Sequence, residues 1–157
     1  MPKAKRIIPV NAAMHLVKIE TAPMFIYLSV QKEFARRLIA SAGSKDYGAF
    51  SCFVQYYTKP EVLFGISRNS FFPRPKVDSC FIKLEPRRES LLPKPKEQRL
   101  FRIIRKAFGQ RRKTLKNSLQ GLVPEQKIAA FLTQRRLNPR SRPEELSLQD
   151  FIFLAGI

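Results

Sequence analysis

The chain has 157 residues, 44% of them apolar, and a formal net charge of +18 from 30 Lys/Arg against 12 Asp/Glu. That length suits one domain or one and a half, with a genuine core. It contains no apolar run near the ~20 residues that span a bilayer, and an excess of positive charge this large favours a polyanionic partner, nucleic acid before an anionic membrane surface.

Residues 11–18 read as a short helix, and His15, the single histidine, as an ordinary residue on its surface. Phe25 to Val30, after Pro23, has the length and composition of a buried strand. Gln31 to Ala40 is helical, with Phe34, Ala35, Leu38 and Ile39 on one face. Ser41 to Tyr47 is a polar loop containing Gly43, and 48–57 is a helix on the spacing of Phe50, Phe53, Val54 and Tyr57, ended by Pro60. Glu61 to Ile66 and Val77 to Leu84 read as strands joined by the loop at Phe71–Pro75, pairing as a long antiparallel hairpin. In that loop Pro73 and Pro75 fix their own φ and bias the residues before them to extended geometry, so an aromatic ring can be held at the surface on a stiff backbone.

Pro86-Arg87-Arg88 and Pro93-Lys94-Pro95 mark a change of composition, and a boundary is placed there, giving parts 1–86 and 87–157. Beyond it the pattern is helical. Leu100, Phe101, Ile104, Ala107 and Phe108 form an apolar stripe that ends at Gly109. Gln110 to Leu119 starts a second helix, with Arg112 and Lys116 on one face, Lys113 and Asn117 on another, and Leu115 and Leu119 toward the core. Pro124 opens a third helix carrying Ile128, Phe131 and Leu132. Ser147 and Asp150 resemble a capping box for a last helix, Leu148 to Leu154. At about 70 residues this helical part has a marginal core of its own.

Charge is concentrated between residues 87 and 116, which hold twelve Lys/Arg and two Asp/Glu. Interleaved with Leu100, Phe101, Ile103, Ile104 and Phe108, this density favours nucleic acid over a merely solvated face. Cys52 and Cys80 lie in apolar surroundings with no Cys-x-x-Cys or histidine pairing, which excludes a zinc pattern and suits free thiols in a reducing, cytoplasmic compartment.

Five ordered motifs carry a family resemblance. They are Val30-Gln31-Lys32-Glu33, Gly43-Ser44-Lys45-Asp46-Tyr47-Gly48, Val54-Gln55-Tyr56-Tyr57, Phe71-Phe72-Pro73-Arg74-Pro75-Lys76-Val77-Asp78-Ser79 and Phe108-Gly109-Gln110-Arg111-Arg112-Lys113-Thr114-Leu115-Lys116-Asn117. From about residue 11 to the C-terminus the chain resembles the small-subunit rRNA adenine dimethyltransferases, the kasugamycin-resistance methyltransferases. The erythromycin-resistance methyltransferases share the Phe-x-Pro-x-Pro-Lys loop but not the basic segment after it.

The resemblance implies an α/β fold, the C-terminal part of a Rossmann-like methyltransferase domain followed by a small α-helical domain. It implies methyl transfer from S-adenosylmethionine to the exocyclic amines of two adjacent adenosines in small-subunit rRNA. Phe71 matches the aromatic that packs on the target adenine, whereas Phe72 fits a ring buried in the hairpin. Arg105, Arg111, Arg112, Lys113 and Lys116 are implied phosphate contacts, with Gln110 and Asn117 as sugar or base contacts.

The departures lie upstream. The family opens with a glycine-rich loop and an acid that grips the cofactor ribose. Here the first glycine is Gly43, and the only acids before it are Glu20 and Glu33. Where the family carries Asn-Leu-Pro-Tyr stands Lys5-Arg6-Ile7-Ile8-Pro9, and Asn11 follows that proline. The expectation is therefore the second half of such an enzyme. S-adenosylmethionine is not expected to bind this chain alone, and a missing N-terminal half is a candidate partner beside the 30S-type ribosomal subunit. A stand-alone, non-catalytic rRNA-binding or ribosome-assembly module is the alternative.

Overall fold

A computed structural model describes residues 24–157 apart from Arg111. The expected helix over 11–18, His15 and Arg111 lie outside the described residues. The element order is β1 (Ile26–Gln31), α1 (Lys32–Ile39), α2 (Ala49–Tyr57), β2 (Thr58–Ile66), a 3₁₀ turn (Arg68–Ser70), β3 (Ser79–Pro86), α3 (Lys94–Phe108), α4 (Leu115–Ser118), α5 (Glu125–Gln134), a 3₁₀ turn (Pro143–Glu145) and α6 (Leu148–Gly156).

The strands form one antiparallel sheet in the order β1-β3-β2. The expected hairpin is present: β2 pairs with β3 from Thr58↔Pro86 to Ile66↔Ser79, with an irregularity between Val62 and Phe64. That extra residue leaves both Leu63 and Phe64 exposed, as a bulge does. Pro60 sits inside β2, not at the end of a helix. It is tolerated because β2 is an edge strand, while α2 ends at Tyr57 and Thr58 Oγ1 donates to the Val54 carbonyl at 2.8 Å.

β1 departs from the expectation of a strand buried on both faces. Ile26 is buried, Leu28 and Val30 are half-buried, and Tyr27, Ser29 and Gln31 are exposed. Only one face of the sheet is covered by described elements: Ile26, Cys80, Ile82 and Leu84 pack there with Ala35, Leu38 and Val54. On the other face Tyr27 stacks on Phe81 with centroids 6.0 Å apart, and Phe81 on Phe64 at 5.1 Å. Ile39, expected on the apolar face of α1, is 44% exposed in the helix's last turn.

The helical part packs around Leu100, Ile103, Ile104, Leu115, Leu119, Phe131, Leu146, Phe151 and Leu154. The same cluster takes in Ala40, Tyr47, Cys52 and Tyr56 from the part before residue 86. Gly43, at φ +83°, makes the left-handed turn that the loop after α1 requires. Its N–H donates to the Glu144 carbonyl at 2.7 Å, fixing this loop to the C-terminal region. Both cysteines are buried and free. Burial pushes the Cys52 thiol up to about 11, which leaves it protonated and inert as a nucleophile.

Phe131 is fully buried and Phe72 is 99% exposed. Phe131→Ala is expected to cost about 3–5 kcal/mol in urea unfolding, and Phe72→Ala to stay within about 0.5 kcal/mol of the parent.

Candidate nucleic-acid interface

Two groups of residues carry the candidate chemistry. The first is the β2–β3 connection, residues 67–78. Sheet pairing ends at Ile66↔Ser79, so this loop stands beyond the last sheet pair. Hydrogen bonds hold its base. Ser67 Oγ accepts from the Asn69 N–H at 3.2 Å, and the Asp78 carboxylate from the Arg68 N–H at 3.1 Å. The Arg68 guanidinium donates to the Lys76 carbonyl at 3.3 Å. The Lys32 N–H, at the start of α1, donates to the Asp78 carbonyl at 3.0 Å. Phe71 has extended backbone, φ −122° and ψ 145°, and is half-buried. Phe72 is not buried in the hairpin as its sequence suggests. It lies past the last sheet pair, with nothing to pack against, and is 99% exposed.

The second group is the corner between α3 and α4. Gln110–Leu119 is not one helix. The Lys113 N–H donates to the Gln110 carbonyl at 3.0 Å, closing a turn. Thr114 then caps α4, its side chain accepting from the Asn117 N–H. A threonine hydroxyl offers the backbone an alternative to continued helix, and it prevails here. The helical faces expected to pair Arg112 with Lys116, and Lys113 with Asn117, therefore do not form, although Leu115 and Leu119 do face the core. Gly109 ends α3, but in right-handed geometry at φ −66°.

Arg105, Gln110, Arg112, Lys113, Lys116 and Asn117 are all exposed. Lys116 forms an ion pair with Glu125 at 2.5 Å. Among the described residues Arg105, Arg112 and Lys113 have no such acidic partner. Lys116 and Asn117 also line a groove of about 450 Å³ with Gln120, Gly121 and Pro124. Lys106 Nζ donates to the Gln120 carbonyl at 2.6 Å, tying α3 to the far side of this corner.

Sequence reasoning passed over Arg102, Arg68, Arg74 and Lys76, all exposed. Arg102 lies one turn before Arg105 on α3, a spacing that could have flagged it. The other three flank Phe71 and Phe72 along the loop.

Other cations are already engaged. Arg37 pairs with Glu33 at 2.7 Å, and Arg87 donates to the Gln55 carbonyl at 3.2 Å. Arg135 Nε donates to Asp150 Oδ1 at 2.6 Å, while Ser147 donates to Asp150 Oδ2 from both N–H and Oγ.

A family model described as ribosomal RNA adenine dimethylase matches residues 8–156. The chain belongs to the ribosomal RNA adenine dimethylase family. It is 42% identical over 129 residues to the ribosomal RNA small subunit methyltransferase A of Nitrosococcus oceani, covering 82% of this chain and 47% of that protein. With the protein of the same name from Protochlamydia amoebophila it shares 46% identity over 125 residues, 80% of this chain and 43% of the relative. A dimethyladenosine transferase from Plasmodium falciparum superposes with a TM-score of 0.74 at 25% identity, over 96% of this chain and 64% of that one. The 23S rRNA methyltransferase ErmE gives 0.74 at 20% identity, which bears on the fold alone. The chain thus has the α/β fold of the C-terminal part of a Rossmann-like methyltransferase followed by helices, and spans about half the length of the curated relatives it matches.

The ribosomal RNA adenine dimethylase family uses S-adenosylmethionine. Gly43 and Glu33, the first glycine and the one described acid before it, do not form a ribose-gripping loop for it. Gly43 turns toward Glu144, and Glu33 faces Arg37 instead of an open loop.

The Asp150 carboxyl has a testable signature. Burial raises it, but the Ser147 and Arg135 hydrogen bonds outweigh burial and hold it below the usual carboxylate value. A depressed folded value means the charged form stabilises the fold above the ordinary carboxylate range, and this contribution fades as pH falls through that range. Asp150→Asn is expected to lose about 1.5–3 kcal/mol at neutral pH. Urea midpoints measured against pH should show the gap to the parent closing on the acid side.

Proposed function

We propose that this chain supplies the base-handling and RNA-binding portion of a small-subunit rRNA adenine dimethyltransferase. In this reading residues 1–86 carry the target-base loop and residues 87–157 hold the RNA. The observation that supports it most directly is the braced aromatic loop on a chain whose α3–α4 corner offers cations with no acidic partner among the described residues. Relatives named for small-subunit rRNA methylation support the choice of substrate.

Phe71 packs on the target adenine. The exocyclic amine of adenine is a weak nucleophile, because its lone pair is delocalised into the ring. Methylation therefore requires the base to be extruded, stacked and held against fixed acceptors. A half-buried ring on a stiff loop meets the stacking part of that requirement. Arg105, Arg112 and Lys113 contact phosphates, as does Arg111 on its sequence position. Lys116 contributes less while Glu125 neutralises it, and Gln110 and Asn117 reach sugars or bases. Two adjacent adenosines are the intended targets and the 30S-type subunit the partner.

Residues 1–157 lack the glycine-rich loop and the Asn-Leu-Pro-Tyr acceptors. Methyl transfer needs the sulfonium and the amine held together, so this polypeptide alone is inactive. Unmodified small subunits incubated with it and labelled S-adenosylmethionine are expected to acquire no label in their rRNA; labelled rRNA would refute the point. Binding should persist. The affinity for a small-subunit rRNA fragment is expected to fall steeply with salt, and Arg112→Ala or Lys113→Ala should each reduce the slope by about 0.7–0.9. Lys116→Ala should reduce it less, and a flat salt response of the parent chain would reject the interface.

A further inference from the structure

Phe72 has the highest exposure of the large apolar side chains described, 99%. Its ring has no polar atom to hydrate, so whatever covers it recovers the transfer free energy of a whole aromatic side chain. The backbone that carries it is ordered in advance. Pro73 and Pro75 fix φ on one side, and the bonds among Ser67, Arg68, Lys76, Asp78 and Lys32 fix the loop's base. Covering the ring therefore requires little new ordering, since a phenylalanine has only two side-chain torsions to fix.

The surroundings select the partner. Arg68, Arg74 and Lys76 flank the ring, all exposed, and no acid occurs between Val62 and Val77. An apolar protein groove would have to bury those cations without compensation. An unpaired nucleobase carries a π face for the ring and a phosphate on either side for the cations.

Phe71 and Phe72 cannot serve the same base face. Phe71 is in extended geometry, where successive side chains point to opposite sides of the backbone. The first ring is half-buried against the protein, and the second projects away from it.

We propose that Phe72 is a second stacking ring, which takes an unpaired base of the RNA other than the one held by Phe71. The inference deepens the RNA-binding reading and rests on it. Phe71 handles the base that reacts, while Phe72 anchors a neighbouring one and so sets the position of the strand relative to the loop.

The chain contains no tryptophan, so Phe72→Trp introduces a single fluorescent reporter at this position. The probes are a short oligoadenylate RNA and heparin, a polyanion without bases. Both should bind with salt-dependent affinity, and only oligoadenylate should quench the introduced tryptophan. Phe72→Ala and Phe72→Leu should weaken oligoadenylate binding by about 5- to 100-fold, with the salt slope and heparin affinity unchanged. Circular dichroism spectra and urea midpoints matching the parent verify that the variants are folded. If Phe72→Ala binds oligoadenylate like the parent and the tryptophan is not quenched, the stacking role is overturned and the RNA-binding reading stands. If the parent chain binds neither polyanion, both are overturned.

Discussion

Phe101 of α3 stacks on Tyr57 of α2, with ring centroids 5.6 Å apart and planes at 13°. Tyr56 meets the same ring edge-on at 5.1 Å, and Phe53 approaches it at 5.2 Å. The Tyr57 hydroxyl donates to Glu97 of α3 at 2.5 Å, and burial followed by that bond holds its acidity well below that of an ordinary tyrosine. Through this aromatic joint α2 belongs to both cores: Val54 faces the sheet, while Cys52 and Tyr56 face the helices. The composition change near Pro86 therefore separates two stretches of sequence more cleanly than it separates two cores. The sheet from which the Phe71 loop extends and the helices that lead to Arg112 thus share α2.

The charge distribution follows a simple economy of acids. Each ion-paired acid takes a local cation: Glu33 takes Arg37, Glu61 takes Lys83, Glu85 takes Lys59, Glu125 takes Lys116, and Asp150 takes Arg135. The exposed pairs add little stability, unlike the part-buried Asp150–Arg135 pair. Their larger consequence is subtractive. They remove particular cations from the field a polyanion would meet, Lys116 among them, and among the described residues leave Arg105, Arg112 and Lys113 near the α3–α4 corner and Arg68, Arg74 and Lys76 in the β2–β3 loop without an ion pair.

Most of the fold is legible in the sequence because its signals are local. The Phe34, Ala35, Leu38 spacing, the α3 stripe and the Ser147–Asp150 box each specify an element within a few residues. The hairpin is legible because two β-rich runs flank a proline loop. What is not legible depends on competition or on distance. Gln110–Leu119 has helical composition, yet one threonine cap starts the helix five residues late. The alternating exposure of β1 depends on which elements cover the second sheet face, and no pattern within Phe25–Val30 encodes that. At the site, the residue types were legible as a set, but the different exposure of two adjacent phenylalanines was not. Phe72 looks like hairpin core until the last sheet pair is known to be Ile66↔Ser79.

The non-helical corner also changes what the basic residues can do. On a continuous helix, Arg112 and Lys116 would lie a turn apart on one face, as parallel arms over a single groove. The turn at Gln110–Lys113 and the cap at Thr114 instead place Arg112 and Lys113 ahead of α4, outside the helix that carries Lys116 and Asn117. On the proposed reading these cations contact phosphates from a hydrogen-bonded turn and the helix after it, not from one continuous helix face. Affinity from such contacts is insensitive to sequence. On the proposed reading discrimination comes from the parts that touch bases, and the β2–β3 loop that carries Phe71 and Phe72 is assigned that task. On the proposed reading, holding the strand at the corner and meeting bases at the loop are separate tasks on one chain whose two cores share α2.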